Sequence, residues 1–218
     1  MTRAQRFAGQ FADFIFAGVV LCLLIGSLTA APLPSYEDLL AQAKQDAAAV
    51  DFTALRYAYA ESAQYNPYDP NAAELKQSMV KSFTEKDCAN ALKLAQTLLE
   101  KNYLNIDAHI ASALCHESAR QAEPAKHHHA MAHGLINSIM ASGDGKTVET
   151  AFAVIAIDEE YRVLNMLGLR KTRQALVAKD GHKFDALTAI DDKSGGSTTL
   201  FFNIDRLTAW AARQIKSR

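Results

Sequence analysis

The residue language of this chain changes once, near residue 142, and that change most constrains its fold. From Ser35 to about Ser142 it is rich in Ala, Leu, Gln, Glu and Lys and poor in β-branched residues, a composition that favours helices. Beyond SGDGKT, residues 142–147, β-branched and aromatic residues alternate with polar ones and turn dipeptides appear, as in short strands. The expected fold is α+β: an N-terminal repeat-like helical stack (35–142), then a small antiparallel β-sheet and a C-terminal helix (147–218). Both halves belong to a single domain, 31–218, because 218 residues with 49% apolar content suffice for one shared core.

Within the first half, SYEDLLAQAKQDAAA opens with a cap at Ser35 and acidic residues in its first turn. DFTALRYAYAESAQY is a second helix, stopped by the breakers of NPYDP. Four more helices are expected, at Asn71–Glu85, Asp87–Lys101, Ile106–Arg120 and Glu123–Ala141. In the second half AFAVIAI is apolar and β-branched, and DEEYRVLNMLG reads as a short helix closed by Gly168. RQALVAKDGHKFDALTAID is two strand-like runs around Asp180-Gly181. TTLFFNID places Leu200, Phe202 and Ile204 on one face, and RLTAWAARQIK is an amphipathic helix whose Trp210 packs on the sheet.

The first thirty residues differ from both halves. Arg3 and Arg6 lead into FIFAGVVLCLLIGSLTA, whose apolar run falls short of the roughly 20 residues that span a bilayer. Residues 1–30 are therefore expected to be a signal peptide cleaved after Ala30, placing the protein in the periplasm or outside the cell; an uncleaved anchor would be its one membrane contact. Cleavage removes Arg3, Arg6 and Asp13 from the chain's 23 basic and 24 acidic residues, leaving 21 and 23. A formal charge of −2 gives no pull toward nucleic acid. Cys88 and Cys115 remain as a possible disulfide in an oxidising compartment, or as two small buried thiols.

SGDGKT ends like a phosphate-binding loop, but the glycine required five positions before Gly145 is Met140. The stretch also follows a helix instead of opening one. It reads as a junction, with Gly143 and Gly145 as residues that can take positive φ. Ala91 in NALKLAQTLL and Ala125 in EPAKHHHAMA lie 34 residues apart, the period of the tetratricopeptide repeat, and Ala113 and Ala132 supply further small residues for close helix contact. Positions held in such repeats by large aromatics carry His109, His116 and His129.

SGDGK followed by TAF and VI, then EEY with L and GL, and finally LFFNID, resembles a bacterial family among the domains of unknown function (forty-nine nineteen). The YNPYDP loop and the IDAH segment extend the resemblance over most of the mature chain. It implies an exported or envelope-associated domain with repeat-like helices and no assigned activity. Phe201 stands where the resemblance leads one to expect a Tyr.

Several side chains are candidates for chemistry. His129 and His133, at i and i+4 on one helix, can share a zinc ion if further ligands come from elsewhere, although HHHAMAH lacks the Glu of HExxH that would activate water. Solvated or packed imidazoles are the plainer reading. Asp158, Glu159 and Glu160 form an acidic cluster that suits the positive end of the helix it begins. The junction between the halves is the cleft to inspect, with His109, His128, Asp144, Lys146 and Glu159 as candidate catalytic groups. Tyr65, Tyr68 and Glu160 are candidate binding residues, the tyrosines on the aromatic turn YNPY. GxSxG, CxxC and Rossmann glycines do not occur. These features together favour a noncatalytic binding module for a protein or peptide partner in the envelope, with no cofactor. The alternative is an enzyme, in its most concrete form a zinc hydrolase.

Overall fold

The computed structural model describes residues 34–216, so the expected leader lies outside the described residues. From Pro34 onward the chain forms one compact unit. Six helices come first: α1 (Tyr36–Gln45), α2 (Phe52–Glu61), α3 (Pro70–Thr84), α4 (Cys88–Lys101), α5 (Ile106–Ser118) and α6 (Ala122–Met140). Their starts follow from the sequence. Ser35 accepts a hydrogen bond from the Asp38 N–H while the Asp38 carboxylate accepts from the Ser35 N–H, a complete capping box. Asp51, Asp69, Asp87 and Asn105 cap α2, α3, α4 and α5 with side-chain oxygens that accept from backbone N–H groups of the first turn, and Pro70 occupies the first turn of α3. Consecutive helices from α3 to α6 pack on each other, and Ala91, Ala113, Ala125 and Ala132 are all buried where the helices approach.

The second half contains β1 (Phe152–Ala153), α7 (Ile157–Met166), β2 (Leu169–Lys179), β3 (His182–Asp191), β4 (Ser197–Asn203) and α8 (Asp205–Lys216). Strands β2, β3 and β4 form the expected antiparallel meander, turned at Asp180-Gly181 with both residues at positive φ. The sheet as a whole is mixed, in the order β1-β4-β3-β2, because β1 pairs parallel with β4. Only two residues of AFAVIAI make that strand. Val154 and Ile155 are buried, and the chain turns away into α7. Leu200, Phe202 and Ile204 are buried as the alternation requires.

The core does not respect the two compositional halves. One cluster joins α1, α2 and α6 to the sheet and α7, through Leu55, Leu135, Ile139, Phe152, Leu187 and Phe202. A smaller one, Met79, Ala95, Leu98, Ala108 and Ala111, holds α3, α4 and α5 together. Cys88 and Cys115 form a disulfide between α4 and α5, with Cα atoms 5.4 Å apart. Gly145 has φ +69, as expected of the junction, and its carbonyl accepts from the Phe201 N–H at 2.8 Å. Gly143 does not take positive φ; it is needed because a Cβ there would sit 2.2 Å from the Thr150 carbonyl oxygen.

Candidate functional site

The junction between helices and sheet is organised by a residue the sequence did not single out. Arg56, on α2, is fully buried. Its Nε and Nη2 donate to the two oxygens of Glu159 at 3.1 and 2.7 Å, Nη1 donates to Ser138 Oγ at 3.0 Å and Nη2 also reaches the Ala153 carbonyl at 2.8 Å. Glu159 accepts a further bond from the Ile155 N–H at 2.8 Å. A bidentate, hydrogen-bonded pair of this kind answers the cost of burying both charges. Glu159 is thus a structural counter-ion that ties α2 and α6 to the start of α7. A signal existed in Arg56 itself, set among Leu55, Tyr59 and Ala60 on the apolar face of its helix.

The acidic cluster lies in the first turn of α7, as its composition suggests. Asp158 alone faces outward, whereas Glu159 and Glu160 are buried. Neither carboxylate oxygen of Glu160 has a hydrogen-bond partner among the described residues. Burial, reinforced by the neighbouring Asp185 carboxylate, pushes Glu160 up to about 8, so it is held protonated at neutral pH. Asp185 lies opposite Phe202 on the core-facing side of the sheet, and Gln174 donates to it at 2.8 Å.

In front of this buried framework lies a groove of about 600 Å³. Its walls are the NPYDP loop, α3, the end of α4 and the first turn of α7. A small cavity of about 50 Å³ continues from it toward Tyr65, Glu159 and Arg162. Tyr65 is buried, its hydroxyl donating to the Ile155 carbonyl at 2.6 Å and its ring meeting Tyr59 edge-on at 5.4 Å. It anchors the loop and lines the small cavity, while Tyr68 is 48% exposed and rests on Trp210, ring centroids 5.7 Å apart. Amides of Gln64, Asn66, Gln77, Asn102 and Asn105 line the groove beside Pro67, Ala72, Ala73, Val80 and Leu98. Lys76 spans it at one side, 2.6 Å from Asp107 and 2.9 Å from Asp158, and Arg162 closes the ion-pair chain on Asp107.

The candidate catalytic groups do not share one neighbourhood. His109 and His128 contact each other between α5 and α6, with Nδ1 atoms 2.9 Å apart. Asp144 is fixed in its own turn by the Lys146 N–H at 3.0 Å and Thr150 Oγ1 at 2.6 Å, and Lys146 pairs with it at 3.2 Å. Glu159 is occupied by Arg56. His129 bonds Glu117 at 2.8 Å, and its ring is 6.1 Å from that of His133. Among the described residues no group of three or more His, Cys, Asp or Glu side chains is arranged around a metal position.

A family model described as "Domain of unknown function (DUF4919)" matches residues 35–213. No curated protein and no solved structure matches the chain.

Proposed function

The chain belongs to the DUF4919 family, and on that premise we propose that it is an exported, noncatalytic binding module that holds a polar, extended segment of a protein or peptide partner in the bacterial envelope. The observation that carries this reading is the composition of the 600 Å³ groove: five side-chain amides over a floor of small apolar residues, with Tyr68 displayed at its edge. Asn66, Asn102 and Asn105 spend Oδ1 on neighbouring backbone N–H groups and keep Nδ2 to donate to peptide carbonyls, while Gln77 can both donate and accept, which suits the alternating N–H and C=O groups of a peptide backbone. Export is supported by the leader-like first thirty residues and by the Cys88–Cys115 bridge, since such bridges persist in oxidising compartments. The tetratricopeptide-like reading of the helices is supported by the four buried alanines and by the consecutive packing of α3 to α6. An enzyme is less well supported, because the charged groups next to the groove are engaged with one another as ion pairs.

Selection of a random peptide display library against the untagged chain tests the reading. Peptides able to hydrogen-bond along their backbone should be enriched, and Ala73→Arg and Val80→Arg, which fill the groove, should abolish their capture without lowering the unfolding midpoint. Capture unaffected by both substitutions would place binding elsewhere and refute the proposal.

A further inference from the structure

A second groove, of about 570 Å³, lies among α4, α5 and α6 and shares no lining residue with the first. His116 and His128 stand in its wall with Ser112, Glu100 and Lys93. The hydrogen bonds behind these imidazoles fix where their protons are. His109 Nε2 lies 2.7 Å from the Tyr103 carbonyl oxygen, which only accepts, so Nε2 carries the proton and the Nδ1 of neutral His109 is a lone pair. The 2.9 Å contact between the two Nδ1 atoms then requires the proton to sit on His128 Nδ1. His128 Nε2 is left as a lone pair with no hydrogen-bond partner among the described residues. His116 repeats the pattern: its Nδ1 lies 2.5 Å from the Gln121 Oε1, and its Nε2 is free to accept.

Imidazoles whose rear N–H is held by an acceptor and whose front nitrogen is bare have the form in which histidine binds metals, because the rear bond fixes the tautomer, aims the ring and raises its basicity. From this geometry we propose that the second groove takes up a nitrogen-preferring divalent transition-metal ion, with His128 Nε2 as the anchoring ligand and His116 Nε2 as the second. The two rings are stacked at 5.6 Å with planes 8° apart, so His128 stays aimed by His109 while half-buried His116 releases Gln121 and turns its ring to bring its lone pair onto the same ion. Water completes the coordination, which makes this an open site. His109 is a positioning residue, acting through His128. This inference is independent of the partner groove.

The experiment titrates Cu²⁺ alone into the untagged chain, read by calorimetry and by the nitrogen couplings of the copper electron-spin resonance. One ion per chain with two imidazole nitrogens is expected. His116→Gln should leave the fold intact and remove one nitrogen coupling. His128→Gln should abolish the site, and His109→Phe, which takes away the rear acceptor, should weaken it about ten- to a hundredfold with both nitrogens retained. A double His129→Gln, His133→Gln variant should bind as the parent does. The proposal is overturned if no ion binds, if His116→Gln binds with unchanged affinity and couplings, or if binding disappears in the double variant.

Discussion

Replacing Glu160 with glutamine should stabilise the protein at neutral pH, although the side chain is fully buried on α7. The folded chain holds a proton on Glu160 that the unfolded chain releases. Glu160 is pushed from 4.5 up to about 8 by burial and by the adjacent Asp185. Below pH 4.5 the group is protonated in both states and has no effect. As pH rises from there the unfolded state loses its proton while the folded state keeps it, so stability falls through the window from 4.5 to 8 and levels off above it. At about 1.36 kcal/mol per pH unit, the loss accumulated by pH 7 is about 3 kcal/mol. Glutamine has the same shape and no proton to lose. Urea unfolding of both forms from pH 5 to 8.5 supplies the test, read as the difference between them so that other titrating groups cancel. The difference should grow in favour of Glu160→Gln by about 3 kcal/mol up to pH 7, or about 6–12 °C in midpoint for a domain of this size. A difference that stays flat with pH would show that Glu160 does not carry the proton, and one that shrinks would show that it is ionised in the fold.

Other consequences follow from the same framework. Arg56→Met leaves Glu159 buried without its counter-charge and should cost about 3–5 kcal/mol in urea unfolding, with Glu159→Gln on that background recovering part of the loss. Cys88→Ser with Cys115→Ser opens a loop of sequence separation 27 and should cost about 3–4 kcal/mol, seen as a lower denaturation midpoint that reductant no longer shifts. His109 and His128 are both depressed, to about 3 and about 4, so their contribution is complete above pH 6.5 and is lost as pH falls toward those values; His109→Phe should lessen that acid sensitivity in thermal melts from pH 7 to 3.5.

Much of the fold was legible because its signals are local. Helix α3 begins at Pro70 after its Asp69 cap, one residue from the boundary read at Asn71, and α5 begins at Ile106 as expected because Asn105 caps it. The strands around Asp180-Gly181 were marked by a turn that only certain residues make. What was not legible depends on contacts between distant positions. Arg56 and Glu159 are 103 residues apart, and no spacing rule couples them. The parallel pairing of Phe152 with Phe202 is decided by the sheet, since two residues carry no period of their own. The site was half visible: YNPY marked the loop, but tertiary packing alone decides that Tyr65 faces the core and Tyr68 the groove. The His-rich stretch was visible as composition, whereas the proton order of His109, His128 and His116 needs the acceptors behind each ring.

The measurement closest to the central claim is site-specific photo-cross-linking in the native host, from Val80 on the groove wall and from Leu176, 66% exposed on β2 and outside the groove. A discrete adduct is expected from Val80, lost with Ala73→Arg and absent from Leu176. No adduct from Val80, or the same adduct from both positions, would contradict that claim.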